Sequence, residues 1–385
     1  MLGLARSGSA AAAALERRAV DVVRADRELG NDGDLALLEG VGLLVKSPGV
    51  PGEAPLVTAA RERGVPVWSE VELGYRLLPN PIVGVTGTNG KTTTAEWLGF
   101  ILDAPVAGNV GRALCDLDGQ LGTEQLVVCE LSSFQLEDIA EFRPRIAVLL
   151  NLEPDHLDRH RSFDAYRDAK LRVFENQTGG DTAVVPRGFG VMAKAKLVEF
   201  SADDPLPAEP ALRGAHNREN AAAATAAARA AAVGEEQIAR GLRDFEGVPH
   251  RLELVGERRG VRYVNDSKAT NVPAALRALA AYENEPVRLI VGGSRKGEDF
   301  VPLAVALGSN VSAVYVIGET AEELARAIPG AIRAGDLPTA VERAAIAAQP
   351  GEVVLLSPAC ASYDQFRDFE QRGEEFKRLV ANLPM

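Results

Sequence analysis

The chain has no apolar run near the roughly 20 residues that a membrane-spanning helix needs, and its mean hydropathy of −0.03 leaves no room for membrane character. It also lacks positive charge. Against 54 Asp and Glu stand only 42 Lys and Arg, a net charge of −12. A nucleic-acid partner needs a basic face for its phosphates, so that class is excluded. Cysteine is scarce. Cys115, Cys129 and Cys360 lie far apart, fit no metal-ligand spacing, and suit buried thiols in a reducing cytoplasm better than a disulfide framework. Lysine is scarce as well: 8 of the 42 basic residues, the rest being arginine. Each lysine is then a mild hint that an amine was required, because a guanidinium cannot be deprotonated and is not a compact point charge. Lys91, Lys170, Lys268 and Lys296 all fall in the segments singled out below.

Apolar residues make up 46% of the 385, ample for globular packing, and the length suits two or three domains. Strand-like and helix-like runs alternate throughout, which predicts an α/β fold with mainly parallel sheets. Strands are expected at 20–23, 41–45 and 65–67, then at 82–85, 126–129, 146–150 and 182–185. A closing set is expected at 261–264, 289–291, 313–317 and 353–356. The runs at 126–129 and 146–150 are continuously apolar, as in strands buried on both faces. Residues 217–232 are alanine-rich and predict a helix. Residues 1–15 lack the bulky apolar core of a signal peptide and fit a glycine turn followed by a helix. Turn-rich segments at 78–81 and 247–249 mark boundaries. With residues 68–78 assigned to the middle region, the domains are 1–69, 70–247 and 248–385.

The most informative segment is Thr86-Gly87-Thr88-Asn89-Gly90-Lys91-Thr92, after a short apolar strand and before a helix-forming run. Glycines let backbone amides close around phosphate oxygens, and the helix N-terminus adds its positive dipole end. Lys91 can reach the β- and γ-phosphates, and the Thr92 hydroxyl can bind Mg²⁺. Gly87, Thr88, Asn89, Gly90 and Thr93 complete the expected ATP cradle. Val85 stands where the general phosphate loop has its first glycine.

Glu130 ends the strand at 126–129. A carboxylate there points into the crevice where α/β proteins bind ligands, and it is placed to hold Mg²⁺. Read alone, it serves equally as a helix N-terminal carboxylate. The next strand ends in Asn151-Leu152-Glu153-Pro154-Asp155-His156-Leu157-Asp158-Arg159-His160. That density of Asp and His suggests a metal, although no cysteine or H-E-x-x-H spacing supports zinc. His156 alone is more often a hydrogen-bonded structural histidine; its place after the Glu130 strand turns it toward the nucleotide site. Lys170, by spacing alone, is a solvated helix lysine. In the closing region three polar loops follow strands: 265–271, 292–297 and 357–362. Loops at strand C-termini build one crevice, and their lysines and hydroxyls suit an anionic ligand such as a carboxylate.

Together these segments resemble the Mur ligase family of peptidoglycan synthesis, from about residue 40 to the C-terminus. Thr86 to Thr92 is similar to that family's ATP loop, which accounts for Val85. Glu130-Leu131-Ser132-Ser133-Phe134-Gln135-Leu136, Asp266-Ser267-Lys268-Ala269-Thr270-Asn271 and Ser357-Pro358-Ala359-Cys360-Ala361-Ser362-Tyr363-Asp364-Gln365-Phe366 resemble its D-glutamate-adding branch. Siblings that add L-alanine, a diamino acid or a dipeptide typically carry a D-Y-A-H- or D-Y-N-type segment at the Asp266 position.

The resemblance implies three domains, each with a mainly parallel sheet: a UDP-binding Rossmann-like domain, a central P-loop ATPase and a Rossmann-like C-terminal domain. It implies that Lys91 contacts ATP phosphates, and that Thr92, Glu130 and His156 help to bind two Mg²⁺ ions. Lys170 would be carbamylated, its CO₂ adduct supplying an anionic oxygen. Asn220 would face adenine, with Arg251 and Asp266 along the rest of the nucleotide. Asn109, Ser132 and Gln135 would line the UDP-N-acetylmuramoyl-L-alanine substrate, and Ser47 with Pro48, Gly49 and residues 4–7 would hold its UDP. Lys268, Thr270, Lys296, Ser362 and Phe369 would receive D-glutamate. The implied enzyme is a cytoplasmic monomer that forms an amide bond through an acyl phosphate. A folylpolyglutamate-synthase-like ligase, another Mur sibling, and a nucleotide switch without ligase chemistry are the rivals. Two departures stand out. Ala5 replaces a glycine of the first loop, and Met1 lies too close to Gly3 for a leading strand. The expectation is therefore a gap in the first sheet, a chain that begins upstream, and weak UDP binding.

Overall fold

The computed structural model describes residues 1–384 except 213, 296 and 298, with the backbone alone at 157 and 158. Its chain forms two compact units, Met1–Phe245 and Glu246–Met385. The fold is α/β, and among the described residues the strands form three sheets. No described helix is long and apolar enough to cross a membrane.

The first sheet pairs β1 (Leu44–Lys46) with β2 (Val67–Ser69) in parallel. The expected gap beside it is filled by the first residues of the chain. Leu2 bridges Lys46 on one side and Ala25 on the other, both in parallel. Its N–H donates to the Val45 carbonyl at 2.9 Å, and the Gly3 N–H to that of Ala25 at 2.9 Å. The strand expected at 20–23 does not form. Val20 and Val23 are 46% and 44% exposed, and pairing begins only at Ala25. The glycine turn and helix expected in residues 1–15 become a loop and the helix Arg6–Glu16, whose small face is buried. A Cβ on Gly8 would collide with the Gly3 carbonyl and lie 2.8 Å from the Ser47 hydroxyl, so only glycine lets that helix approach the loop.

The central sheet contains β3 (Ile82–Thr86), β4 (Val106–Gly108), β5 (Val127–Glu130), β6 (Ile146–Leu149), β7 (Thr182–Pro186) and β8 (Lys196–Phe200). Their order is β4-β5-β3-β6-β7-β8, and every pair is parallel. The continuous apolar runs occupy the middle, where β3, β5 and β6 are buried throughout. The helix Lys91–Leu102 leads away from β3, and Trp97 anchors it through an Nε1–H bond of 2.9 Å to the Gly241 carbonyl. Because β5 and β6 flank β3, the chain leaving all three emerges side by side at their C-terminal ends.

The unit Glu246–Met385 holds β9 (Glu253–Arg258), β10 (Val261–Asn265), β11 (Val287–Gly292), β12 (Val311–Ile317), β13 (Ile332–Gly335) and β14 (Val353–Leu356). The order is β13-β12-β11-β14-β10-β9; only β9 runs antiparallel. The last strand thus inserts between β10 and β11, which sets the three polar loops next to one another.

Candidate functional site

The phosphate loop between β3 and its helix is clamped from the β6 side. The Thr88 N–H donates to the Asn151 carbonyl at 3.0 Å. The Asn89 N–H donates to Asn151 Oδ1 at 2.8 Å, and Asn89 Nδ2 donates to Glu153 Oε2 at 2.9 Å. Thr88 Oγ1 accepts from the Glu153 N–H at 3.0 Å and lies 3.0 Å from the Tyr166 hydroxyl. Gly90 has φ +81 and caps the helix N-terminus; a Cβ there would strike the Asn220 side-chain amide. Asn220 therefore abuts the loop itself. Asn151, Glu153 and Tyr166 are functional supports that sequence reasoning missed. Tyr166 carried a usable signal: it sits one helical turn before Lys170, on the same face of the helix Phe163–Leu171.

Two amines converge on one carbonyl of this loop. Lys91 Nζ donates to the Gly87 oxygen at 2.9 Å and to the Thr88 oxygen at 2.8 Å. Lys170 Nζ donates to the same Gly87 oxygen at 2.7 Å and lies 4.8 Å above the Tyr166 ring. Lys170 is not a solvated helix lysine; it is 2% exposed. Burial, and then the neighbouring Lys91 charge, lower its pKa to about 7. Two amines held this close favour an anion between them, and a triphosphate supplies one.

Glu130 is buried at the end of β5, and its Oε1 accepts from Asn109 Nδ2 at 2.9 Å. Thr92 is buried in the first turn of the helix after the loop. His156 is exposed, has φ +50, and rests against Phe134 with ring centroids 5.0 Å apart. Among the described residues no three His, Cys, Asp or Glu side chains gather into a metal cluster. A buried carboxylate at the end of β5 and a buried hydroxyl in the first turn after the loop are donor types that fit Mg²⁺, which takes most of its oxygens from phosphate and water.

On the substrate side, Ser47 is buried and its hydroxyl donates to the Gly3 carbonyl at 2.7 Å. Ser132 caps the helix Ser133–Leu136 in a capping box with Gln135. Gln135 is fully buried, and its Nε2 has no hydrogen-bond partner among the described residues. Both residues thus carry a structural load that their motif did not disclose.

In the second unit the three polar loops do lie together. The Ser294 N–H donates to the Ala361 carbonyl at 2.9 Å, joining the loops after β11 and β14. Asp266 accepts from the Ser357 hydroxyl at 2.7 Å, and burial pushes its carboxyl up to about 7. Lys268 Nζ stands 5.2 Å over the Phe369 ring. Ser362 is buried, and its carbonyl accepts from the Phe366 N–H at 2.8 Å. Thr270 donates its N–H to the Lys268 carbonyl at 2.9 Å, and Arg251 its own to Val248 at 3.1 Å. Lys296 lies outside the described residues. The tie that sequence reasoning missed is Arg372, which is 1% exposed. Its guanidinium donates to the Ser267 hydroxyl at 2.9 Å and to the carbonyls of Ser267, Cys360 and Ala361 at 2.8, 3.1 and 3.1 Å.

Comparison with known proteins agrees with this geometry. The family profile described as the Mur ligase middle domain matches residues 85–204, and that of the Mur ligase glutamate ligase domain matches 250–360. A UDP-N-acetylmuramoylalanine–D-glutamate ligase from Anaeromyxobacter dehalogenans is 44% identical, covering 99% of this chain and 96% of its own. The one from Myxococcus xanthus is 42% identical over 100% of this chain and 98% of its own. Among solved structures, UDP-N-acetylmuramate-alanine ligase MurC from Thermotoga maritima shares the fold, with a TM-score of 0.61 at 20% identity and 99% coverage of both chains.

Proposed function

This chain belongs to the Mur ligase family, and from that premise we propose that it adds D-glutamate to UDP-N-acetylmuramoyl-L-alanine at the expense of ATP, in the cytoplasm and as a monomer. The observation that carries the reading is buried Lys170 beside Lys91 on the phosphate-loop carbonyl, in a chain alike over its whole length to relatives that bear the D-glutamate ligase name. We divide it into a UDP-substrate domain, 1–69, an ATP domain, 70–247, and an amino-acid domain, 248–385.

The substrate's alanyl carboxylate attacks the γ-phosphorus of ATP, giving an acyl phosphate and ADP. The D-glutamate amine then attacks the acyl carbon, and inorganic phosphate leaves. Gly87 to Gly90 and the N-terminal turn of the helix Lys91–Leu102 bind the phosphates, with Thr93 in that turn. Lys91 moves from loop carbonyls to phosphate oxygen. Thr92, Glu130, His156 and a carbamate on Lys170 would hold two Mg²⁺ ions, whose charge offsets that of the transferring phosphoryl group. A neutral Lys170 amine adds CO₂ and releases one proton, and its pKa of about 7 supports that step. Asn220, Arg251 and Asp266 are assigned to the nucleotide, and Ser47, Asn109, Ser132 and Gln135 to the UDP-linked substrate. Lys268, Thr270, Ser362, Phe369 and Lys296 are assigned to D-glutamate.

Phosphate release tests the reading. It should require ATP, UDP-N-acetylmuramoyl-L-alanine and D-glutamate together. Release with the UDP-linked substrate omitted, or with a folate in its place, contradicts it.

A further inference from the structure

Arg159 joins the loop after β1 to the segment after β6 through two backbone carbonyls, and Arg161 adds an exposed ion pair with Glu53 at 3.6 Å. Arg159, in the short helix Leu157–His160, donates through Nη1 to the Pro48 carbonyl at 3.0 Å and through Nη2 to the Val50 carbonyl at 2.7 Å. Its guanidinium carbon lies 4.0 Å over the Phe134 ring. Phe134 in turn rests against His156 at 5.0 Å and stacks on His160 at 5.2 Å with an 11° interplanar angle. His160 is itself fixed, with Nε2 2.9 Å from the Ser133 hydroxyl and Nδ1 3.2 Å from Glu137. The Arg159 fork is therefore held from behind by a ring that two histidines brace.

The other end of the same segment, Asn151 and Glu153, clamps the phosphate loop. One stretch of ten residues thus grips the phosphate cradle at its start and the loop at 47–50 near its end. Other cations complete the hold on that loop. Lys46 Nζ donates to the Val50 carbonyl at 3.1 Å and pairs with Asp138 at 2.9 Å, while Arg61 bonds the Gly52 carbonyl at 2.8 Å. Among the described residues of the segment that carries His156, Arg159 alone reaches two carbonyls of the loop. A planar fork spans two acceptors at fixed separation; an ammonium does not.

We propose that Arg159 is a positioning residue for the UDP-linked substrate: it sets the loop Ser47-Pro48-Gly49-Val50 in register with the phosphate cradle, so that the substrate's carboxylate meets the γ-phosphate. This rests on the assignment of Ser47 and its neighbours to that substrate. Steady-state kinetics of the full-length Arg159→Ala and Arg159→Lys variants, with each substrate varied in turn, test it. Arg159→Ala should raise KM for UDP-N-acetylmuramoyl-L-alanine about tenfold or more, while KM for ATP and D-glutamate moves less than about threefold. Arg159→Lys should fall nearer to the alanine variant than to wild type. Full recovery with lysine, or an unchanged KM for the UDP-linked substrate, overturns the proposal. Amide exchange in the substrate-free protein is the second arm. Exchange at Ser47, Gly49 and Val50 should quicken in Arg159→Ala, while the helix Pro55–Glu62 keeps its protection. The two failures are separable. A wild-type chain inert toward the UDP-linked substrate refutes the functional reading; unchanged loop exchange in Arg159→Ala refutes the positioning role, whatever the wild type turns over.

Discussion

Lys170 shows how far a residue's surroundings exceed its sequence neighbourhood. Its spacing says solvated helix lysine, yet the structure buries it against Gly87 and the Tyr166 ring. Burial disfavours the ammonium, so the amine becomes neutral as pH passes about 7 rather than 10.5. The proposed carbamylation needs that neutral amine and would turn a cation into an anion beside the residues assigned to Mg²⁺. Lys170→Ala should lose turnover by roughly 10²-fold or more, and acetate or another small carboxylic acid should restore part of it by filling the vacated oxygen position. Lys170→Arg should stay inactive, because a guanidinium forms no carbamate at neutral pH. Steady-state rates with and without added acid check this; full activity of Lys170→Ala without additives contradicts the role. Arg372 makes a related point. Nothing in its spacing marks it, and only the folded chain shows one buried guanidinium joining Ser267 to Cys360 and Ala361.

Elements divide by how much of their pairing is local. The buried central strands were legible, because a strand covered on both faces must be apolar throughout: β5 and β14 lie on the expected runs. Four strands escaped notice, namely β4, β8, β9 and β13. All four lie at sheet edges, and β8, β9 and β13 keep much of their length partly or fully exposed, so no apolar run announces them. The false strand at 20–23 is the converse case. Its valines gain no strand partner, although the Met1 ammonium donates to the Val23 carbonyl at 2.7 Å, because Leu2 bridges Ala25 instead; β-propensity has force only where a pleated partner exists. The phosphate loop was legible because its chemistry is local, but its clamp at Asn151 and Glu153 depends on β6 lying beside β3. A substitution inside this element tests its geometry. Gly90→Ala forces a side chain into the left-handed region, at about 1–2 kcal/mol, and drives its Cβ into Asn220. Thermal melting should show a modest loss of stability, and ATP-dependent turnover should fall more than about tenfold. Wild-type kinetics in Gly90→Ala would mean that the loop is not the phosphate cradle.

At the scale of the whole molecule, the proposed reading gives each unit its own part of the reaction. Residues Met1–Phe245 hold the phosphate cradle and the loop assigned to the UDP-linked substrate; Glu246–Met385 hold the crevice assigned to D-glutamate. Three polar loops at strand ends were visible in sequence. That β14, the last strand, inserts between β10 and β11 and so brings those loops together was not, because strand order is fixed by contacts far apart in the chain. The choice of amino acid is tested at this scale, on the full chain. The lysines and hydroxyls assigned to D-glutamate would favour a second carboxylate over a neutral amide or an amine. Mass analysis of the UDP-linked product, after incubation with Mg²⁺, ATP, UDP-N-acetylmuramoyl-L-alanine and one amino acid at a time, is the most direct test. D-Glutamate should give a product heavier by one glutamyl residue, with one phosphate released per product, and D-glutamine scarcely any. Comparable incorporation of L-lysine or diaminopimelate, or no product with D-glutamate, would contradict the account.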